Sequence, residues 1–117
     1  MNLEEIRTYC LSKTAVSESL PFDENTLVFK VGSKMFALMS LDSDPLSLNL
    51  KCNPEKAILL RNDYSQITPG YHMNKKHWNT IKIDGMLSPS LIRALIDHSY
   101  ELVVSGLTKK ERLKLNI

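Results

Sequence analysis

Residues 26–41 read Thr26-Leu27-Val28-Phe29-Lys30-Val31-Gly32-Ser33-Lys34-Met35-Phe36-Ala37-Leu38-Met39-Ser40-Leu41. Two runs rich in β-branched, aromatic and apolar residues, 26–31 and 34–41, stand on either side of Gly32-Ser33, the composition of two strands joined by a turn. A two-residue Gly-X connection fits a II′ hairpin, because glycine takes the positive φ that matches the strand twist. In an unbroken register through that turn, Phe29 faces Phe36 and Leu27 faces Leu38 as a core-side ladder of cross-strand pairs. Val28, Lys30, Met35 and Ala37 then take the opposite face.

Downstream, Leu46-Ser47-Leu48-Asn49-Leu50-Lys51 alternates strictly, so a third strand has one buried and one wet side, after a turn at Asp42-Ser43-Asp44-Pro45. Asn53-Pro54-Glu55 is a helix start: a side-chain cap, proline at the first helical position and an acid in the first turn. That helix ends at Asn62-Asp63, and Thr68-Pro69-Gly70 breaks the chain. Residues 71–74 read as extended, Lys75-Lys76 as a turn and 78–83 as a strand. On that strand Ile81 and Ile83 share one face, and Trp78, Thr80 and Lys82 share the other. Ser88-Pro89 opens the longest helix, with Leu91, Ile92, Leu95, Ile96, Ser99, Leu102 and Val103 at helical period, Gly106 at its C-terminal cap and a short basic tail beyond. Upstream, Asn2 and Glu5 have capping-box spacing, and Leu3, Ile6 and Cys10 form a helical stripe that fades across 12–19. Leu20-Pro21-Phe22 then leads the chain out of the helix. Strands thus run consecutively between helices. The expectation is an α+β, two-layer sandwich: a mostly antiparallel sheet of about five strands packed by helices, with the first and longest helices on one face and the other face open to solvent.

With 117 residues the chain makes one domain, 1–117, and 43% hydrophobic with 24% charged residues is the balance of a soluble protein with a single core. No apolar run approaches the roughly 18 residues of a membrane span. The N-terminal residues carry Glu4 and Glu5 and no signal-peptide apolar stretch, so the expected location is cytoplasmic. Cys10 and Cys52 read as buried free thiols. The net charge of +2 forces nothing, but its distribution does more. Between Asp63 and Asp84 there is no carboxylate, while Lys75, Lys76, Lys82, His72 and His77 all lie there; between Glu24 and Asp42 the only charges are Lys30 and Lys34. Together with the basic run at 109–114, these stretches are candidates for one positive face.

Three segments carry a resemblance. They are Leu20-Pro21-Phe22 with the 28–38 run, the block Gly70-Tyr71-His72-Met73-Asn74-Lys75-Lys76-His77-Trp78-Asn79-Thr80-Ile81, and Ser99-Tyr100-Glu101-Leu102-Val103. Taken together they resemble the MmcQ/YjbR family over nearly the whole chain, with Ser33 standing where many relatives carry glycine or another turn residue. The resemblance implies a frataxin-like (CyaY-like) fold and a DNA-binding role in which the exposed sheet and its loops act as paired wings. Fold analogy alone does not fix function.

The nucleic-acid candidates are Lys30, Lys34, His72, Asn74, Lys75, Lys76, His77, Trp78, Asn79 and Lys82. Lysines neutralise phosphates and release counterions, Asn74 and Asn79 offer hydrogen bonds, and Trp78 offers a stacking surface. The plainer reading is a solvated Lys75-Lys76 turn with Trp78 covering one end of the core. For a metal site the three histidines lack converging cysteine or carboxylate partners at short spacing, and the acids at 4, 5, 18, 23 and 24, interrupted by Arg7 and Lys13, make no iron-binding ridge. None of the four glycines lies in a phosphate-cradling motif, and Cys10 sits on an apolar stripe. The expectation is therefore no enzyme, no cofactor and no metal. The chain reads as a monomeric, non-membrane protein that binds duplex DNA weakly and with little sequence preference. The alternative is an adaptor that presents the same face to an acidic protein.

Overall fold

Asn2 opens helix α1 (Leu3–Leu11) with a complete capping box: Asn2 Oδ1 accepts from Glu5 N at 2.9 Å, and Glu5 Oε1 accepts from Asn2 N at 3.1 Å. The structure, a computed structural model, describes every residue except His72, so the expectation for His72 lies outside the described residues. After α1 come strands β1 (Val16–Ser19), β2 (Thr26–Val31), β3 (Lys34–Ser40) and β4 (Leu46–Lys51), then helix α2 (Pro54–Asp63). Strands β5 (Ile67–Pro69) and β6 (Trp78–Ile83) and helices α3 (Pro89–Ser105) and α4 (Lys109–Leu115) complete the chain. The strands form one sheet in the order β1-β2-β3-β4-β6-β5, with every neighbouring pair antiparallel. No helix among the described residues is long and apolar enough to cross a membrane.

The α+β class and the antiparallel, one-sided sheet match expectation; the element inventory is larger. The sheet has six strands rather than about five. Residues 16–19 pair as β1 where the first helix fades, and the segment expected to be extended at 71–74 is preceded by the real strand, β5. The basic tail is helix α4. Thr108 Oγ1 caps it by accepting from Glu111 N at 3.1 Å, and the Glu111 carboxylate reaches out of the helix to accept from Ser33 N at 2.9 Å.

The hairpin keeps its expected turn and loses its expected register. Gly32 has φ +58°, and a side chain there would meet Leu115 and Glu111 of α4 within 2.8 Å. Val31 pairs with Lys34 and Lys30 with Met35, as the two-residue turn requires. Beyond that point Phe29 pairs with Ala37, Val28 with Leu38 and Leu27 with Met39, so Phe36 is an extra residue, a β-bulge. Two successive residues, Phe36 and Ala37, therefore bury toward the helices, and Val28 and Leu38 are paired on the opposite face. The Phe36 carbonyl, displaced from the ladder, accepts a hydrogen bond from the buried Ser99 Oγ, which also accepts from Lys51 N at 2.9 Å. One hydroxyl on α3 thus satisfies the bulge in β3 and the end of β4 together.

Helices α1, α2 and α3 pack on one side of the sheet, and α4 joins the same core through Leu115. Phe29, Phe36, Met39, Leu48, Leu50 and Ile81 of the sheet pack with Ile6 and Cys10 of α1, Ala57 and Leu60 of α2, and Ile92 and Ile96 of α3, in one core cluster with Leu107 and Leu115 at the α4 end. Helices α1 and α3 are joined where Asp97 accepts from Tyr9 Oη at 2.7 Å and from Lys13 Nζ, whose ammonium lies 5.0 and 5.1 Å from the Tyr9 and Tyr100 ring centres. Cys10 and Cys52 are buried free thiols, as expected, and burial pushes the Cys10 thiol up to about 12, where it is inert at neutral pH.

Candidate nucleic-acid interface

Residues paired across a sheet share a face, so the register defines the side away from the helices. It carries Ser17 and Lys30, Met35, Leu38 with Val28, Asn49 with Thr80, Ser47 with Lys82, and Lys51 with Trp78. Every charged strand residue on this face is a lysine: Lys30, Lys51 and Lys82. Glu18, the one strand carboxylate, pairs with Phe29 on the helix side, where it forms a two-pronged ion pair with Arg7.

The face is not flat. Phe22 and Asp23, before β2, and Tyr71 and Met73, after β5, flank a groove of about 340 Å³ over Leu38 and Met35, with Ser40, Ser47, Asn49 and Thr80 along it. Phe22 is 63% and Tyr71 69% exposed, whereas Val28 and Leu38 beneath are buried despite lying on the open side. A second cleft of about 480 Å³ shares Phe22 and Met35 with the first and is lined by Lys30, Lys34, Lys51 and Trp78. Gly70 lets the chain pass close over β6: its N–H donates to Trp78 O at 2.8 Å, and an added Cβ would lie 2.8 Å from the Trp78 Cβ. Thr80 Oγ1 accepts from Tyr71 N at 2.9 Å and donates to Asn49 Oδ1, which fixes both the loop and the Asn49 amide. Hydrogen bonds from Asn25 N and Thr26 hold the Asp23 carboxyl below its usual range, so the groove's acidic edge is ionised at neutral pH.

The expected site residues do not all converge. Lys30, Lys82 and Trp78 share the open face, and Lys75, Lys76 and Asn74 are exposed on the turn that leads into β6. Asn74 Oδ1 accepts from Lys76 N at 2.9 Å, which makes Lys75-Lys76 the turn that was expected. His77 is half-buried and its carbonyl accepts from Cys52 N at 2.8 Å, which ties the turn to the end of β4. One expectation is corrected. Asn79 is 2% exposed on the helix side and its Oδ1 accepts from Arg61 Nε at 2.7 Å, so it is a framework residue and cannot touch a ligand on the open face. Lys34 lies opposite Val31 in the register and its Nζ donates to Gly106 O at 3.2 Å at the end of α3, a favourable place for a cation, and the residue also lines the second cleft with Lys30 and Lys51.

Sequence reasoning passed over Lys51, Phe22 and Arg61. Lys51 had a signal in the strict alternation of β4, which puts it with Ser47 and Asn49. Phe22 had none beyond its place in a turn. Arg61, on α2, donates to Asn79 Oδ1, to Trp78 O at 3.2 Å and to Lys75 O, holding the basic turn from behind. Among the described residues no three histidine, cysteine or acidic side chains converge as metal ligands do. His98 accepts from Asn53 N at 3.1 Å, with burial the largest influence holding its pKa below the usual imidazole range.

Comparison with known proteins agrees with this architecture. Residues 11–102 match the family model described as YjbR. The chain is 35% identical over 112 residues to the uncharacterised protein YjbR of Escherichia coli, covering 96% of this chain and 95% of the relative. It is 42% identical over 95 residues to the uncharacterised Escherichia coli protein YbdF, covering 81% and 78%. The crystal structure of Deinococcus radiodurans protein DR2400 superposes with a TM-score of 0.93 at 42% identity, covering 99% of this chain and 88% of that one. A Pseudomonas syringae protein superposes with a TM-score of 0.76 at 29% identity, covering 87% and 98%. The chain belongs to the YjbR family.

Proposed function

We propose that this protein binds nucleic acid across its open sheet face, weakly and with little sequence preference. The observation that carries the reading is the charge of that face: Lys30, Lys51 and Lys82 without a strand carboxylate, bordered by Lys75, Lys76 and the half-buried Trp78. Lysines spread over a surface bind phosphates as point charges and do not distinguish bases, which is why little sequence preference is expected. Double-stranded DNA binding is then governed by counterion release. Five lysines give a log–log salt slope no steeper than roughly −4.5, at about 0.9 counterion per phosphate neutralised. Replacing Lys75 and Lys76 together by Ala shallows the slope by about 2 and weakens all sequences alike. No binding by fluorescence anisotropy at about 50 mM salt and high micromolar protein overturns the proposal, since even nonspecific binders reach roughly 10⁻⁴ to 10⁻⁶ M at higher salt.

A further inference from the structure

We infer that the groove beside Phe22 and Tyr71 holds an unstacked base of single-stranded nucleic acid, with the adjoining phosphate in the cleft at Lys30 and Lys51; this rests on the nucleic-acid reading above. The two cavities are chemically different and have Phe22 and Met35 in common. The first, about 340 Å³, lies in the size range of small-ligand sites, roughly 300–1,000 Å³. Its floor is apolar, Leu38 and Met35, and its rims are two exposed aromatic rings, which is the arrangement that stacks a planar base. Hydrogen-bonding groups stand along it where the edge of a base would meet them. The Asn49 carbonyl is taken by Thr80, so its NH₂ faces the groove's polar needs as a donor, and the hydroxyls of Ser40 and Ser47 supply both donors and acceptors.

The second cavity lies beside the first, with Phe22 and Met35 in both linings, and brings in Lys30, Lys34 and Lys51. A base and its phosphate are separated in the same way, one flat and apolar-faced, the other anionic. Asp23, ionised at the groove's rim and away from the lysine cleft, repels a phosphate from the base end and so favours one orientation. A duplex cannot use the groove, because its bases are stacked and paired and present only their edges. The lysines serve both forms of nucleic acid; the groove serves the single strand alone.

The test compares a fluorescein-labelled ten-nucleotide oligothymidylate, a duplex of the same length and thymidine monophosphate, at one low salt concentration. The expected result is tighter binding of the single strand than of the duplex by about tenfold, since one base–aromatic stack contributes on the order of 1–3 kcal/mol. Phe22→Ala, which removes a ring already exposed to solvent, brings the single strand down to the duplex level and changes duplex binding by less than about twofold. Ser47→Phe, checked for folding by circular dichroism, fills the groove and acts in the same direction; Phe22→Ala decides alone if that variant does not fold. Duplex binding as tight as single-strand binding, with Phe22→Ala indifferent, overturns the groove assignment and leaves the nucleic-acid reading standing. Thymidine monophosphate binding as tightly as the oligonucleotide overturns it in favour of a free-nucleotide site. Absence of binding by either polymer overturns both.

Discussion

Arg61→Met removes the side chain that holds the basic turn from behind, and the structure says how the loss divides. Arg61 Nε gives the carboxamide of Asn79 a hydrogen bond at 2.7 Å, and Asn79 is 2% exposed with no water-facing alternative. Leaving that oxygen unsatisfied costs about 1–3 kcal/mol. The bonds to Lys75 O and Trp78 O add less: Lys75 is exposed and its carbonyl can be solvated, and Trp78 O keeps the bond from Gly70 N. The sum is about 2–4 kcal/mol, a large part of the stability of a domain this size. Urea unfolding followed by the single tryptophan reads it directly, as a midpoint lowered by roughly 1–2 M for a slope near 2 kcal/mol per M. The sharper check is the pair. Once Asn79→Leu has removed the orphaned acceptor, Arg61→Met has little left to break, so the double variant is more stable than the two single losses added together. Additive losses, or an Arg61→Met midpoint within error of the wild type, refute the account of Asn79 as a buried framework residue that depends on Arg61.

Three further outcomes are expected. Phe29→Ala, at a fully buried core position, lowers stability by about 3–5 kcal/mol in the same urea assay, and an unchanged melting temperature contradicts the assignment of its face. Ser99→Ala strands Phe36 O and Lys51 N in a buried position and costs about 1–3 kcal/mol, whereas Ser105→Ala, which loses only an exposed bond to Leu102 O, stays near neutral. His98 favours its neutral form in the fold, so the unfolded chain binds more protons as the pH falls below about 6.5; stability drops there with acid, and His98→Gln flattens that part of the stability–pH curve.

The turn of the central hairpin was legible because Gly32 must take positive φ and the two flanking runs are apolar. Its register was not. Met35 to Met39 are all apolar, so the period-two signal that fixes a register is silent there, and nothing local distinguishes an unbroken ladder from a bulge at Phe36. The deciding partner is the Ser99 hydroxyl, 63 residues away. β1 was missed for a related reason: Val-Ser-Glu-Ser has one apolar residue, and it forms an edge strand held by β2 on one side only. The site was legible as a composition and not as a set of contacts. Lys30 and Lys34 already differ in strand parity, Lys30 lying opposite Met35 and Lys34 opposite Val31, and what the sequence does not show is the bond from Lys34 to Gly106 O. Asn79 is different, because its neighbours already carried the answer: it shares the parity of Ile81 and Ile83, so alternation places it inside, whatever the polar block around it implies.

Three carboxylates of the helix layer show how its charges are held. Glu18 is engaged by Arg7, Asp97 by Lys13 and Tyr9, and Glu111 by Ser33 N. Each is held below its usual pKa, Glu18 chiefly by the bond from Arg7, Glu111 chiefly by its bonds from Ser33, and Asp97 by bonds from Lys13 and Tyr9 that outweigh its burial. Among the described residues the ion pairs are Arg7–Glu18 and Lys13–Asp97, and neither involves a lysine of the open face. A set of like charges left on one surface repels itself and adds nothing to folding, but it raises the local concentration of anions. Val28 and Leu38 are buried beneath the same surface by the flanking loops, so the face is also shaped rather than merely exposed. The arrangement makes physical sense if a counterion arrives from outside, as a phosphate, and the aromatic rims give that phosphate's base somewhere to lie.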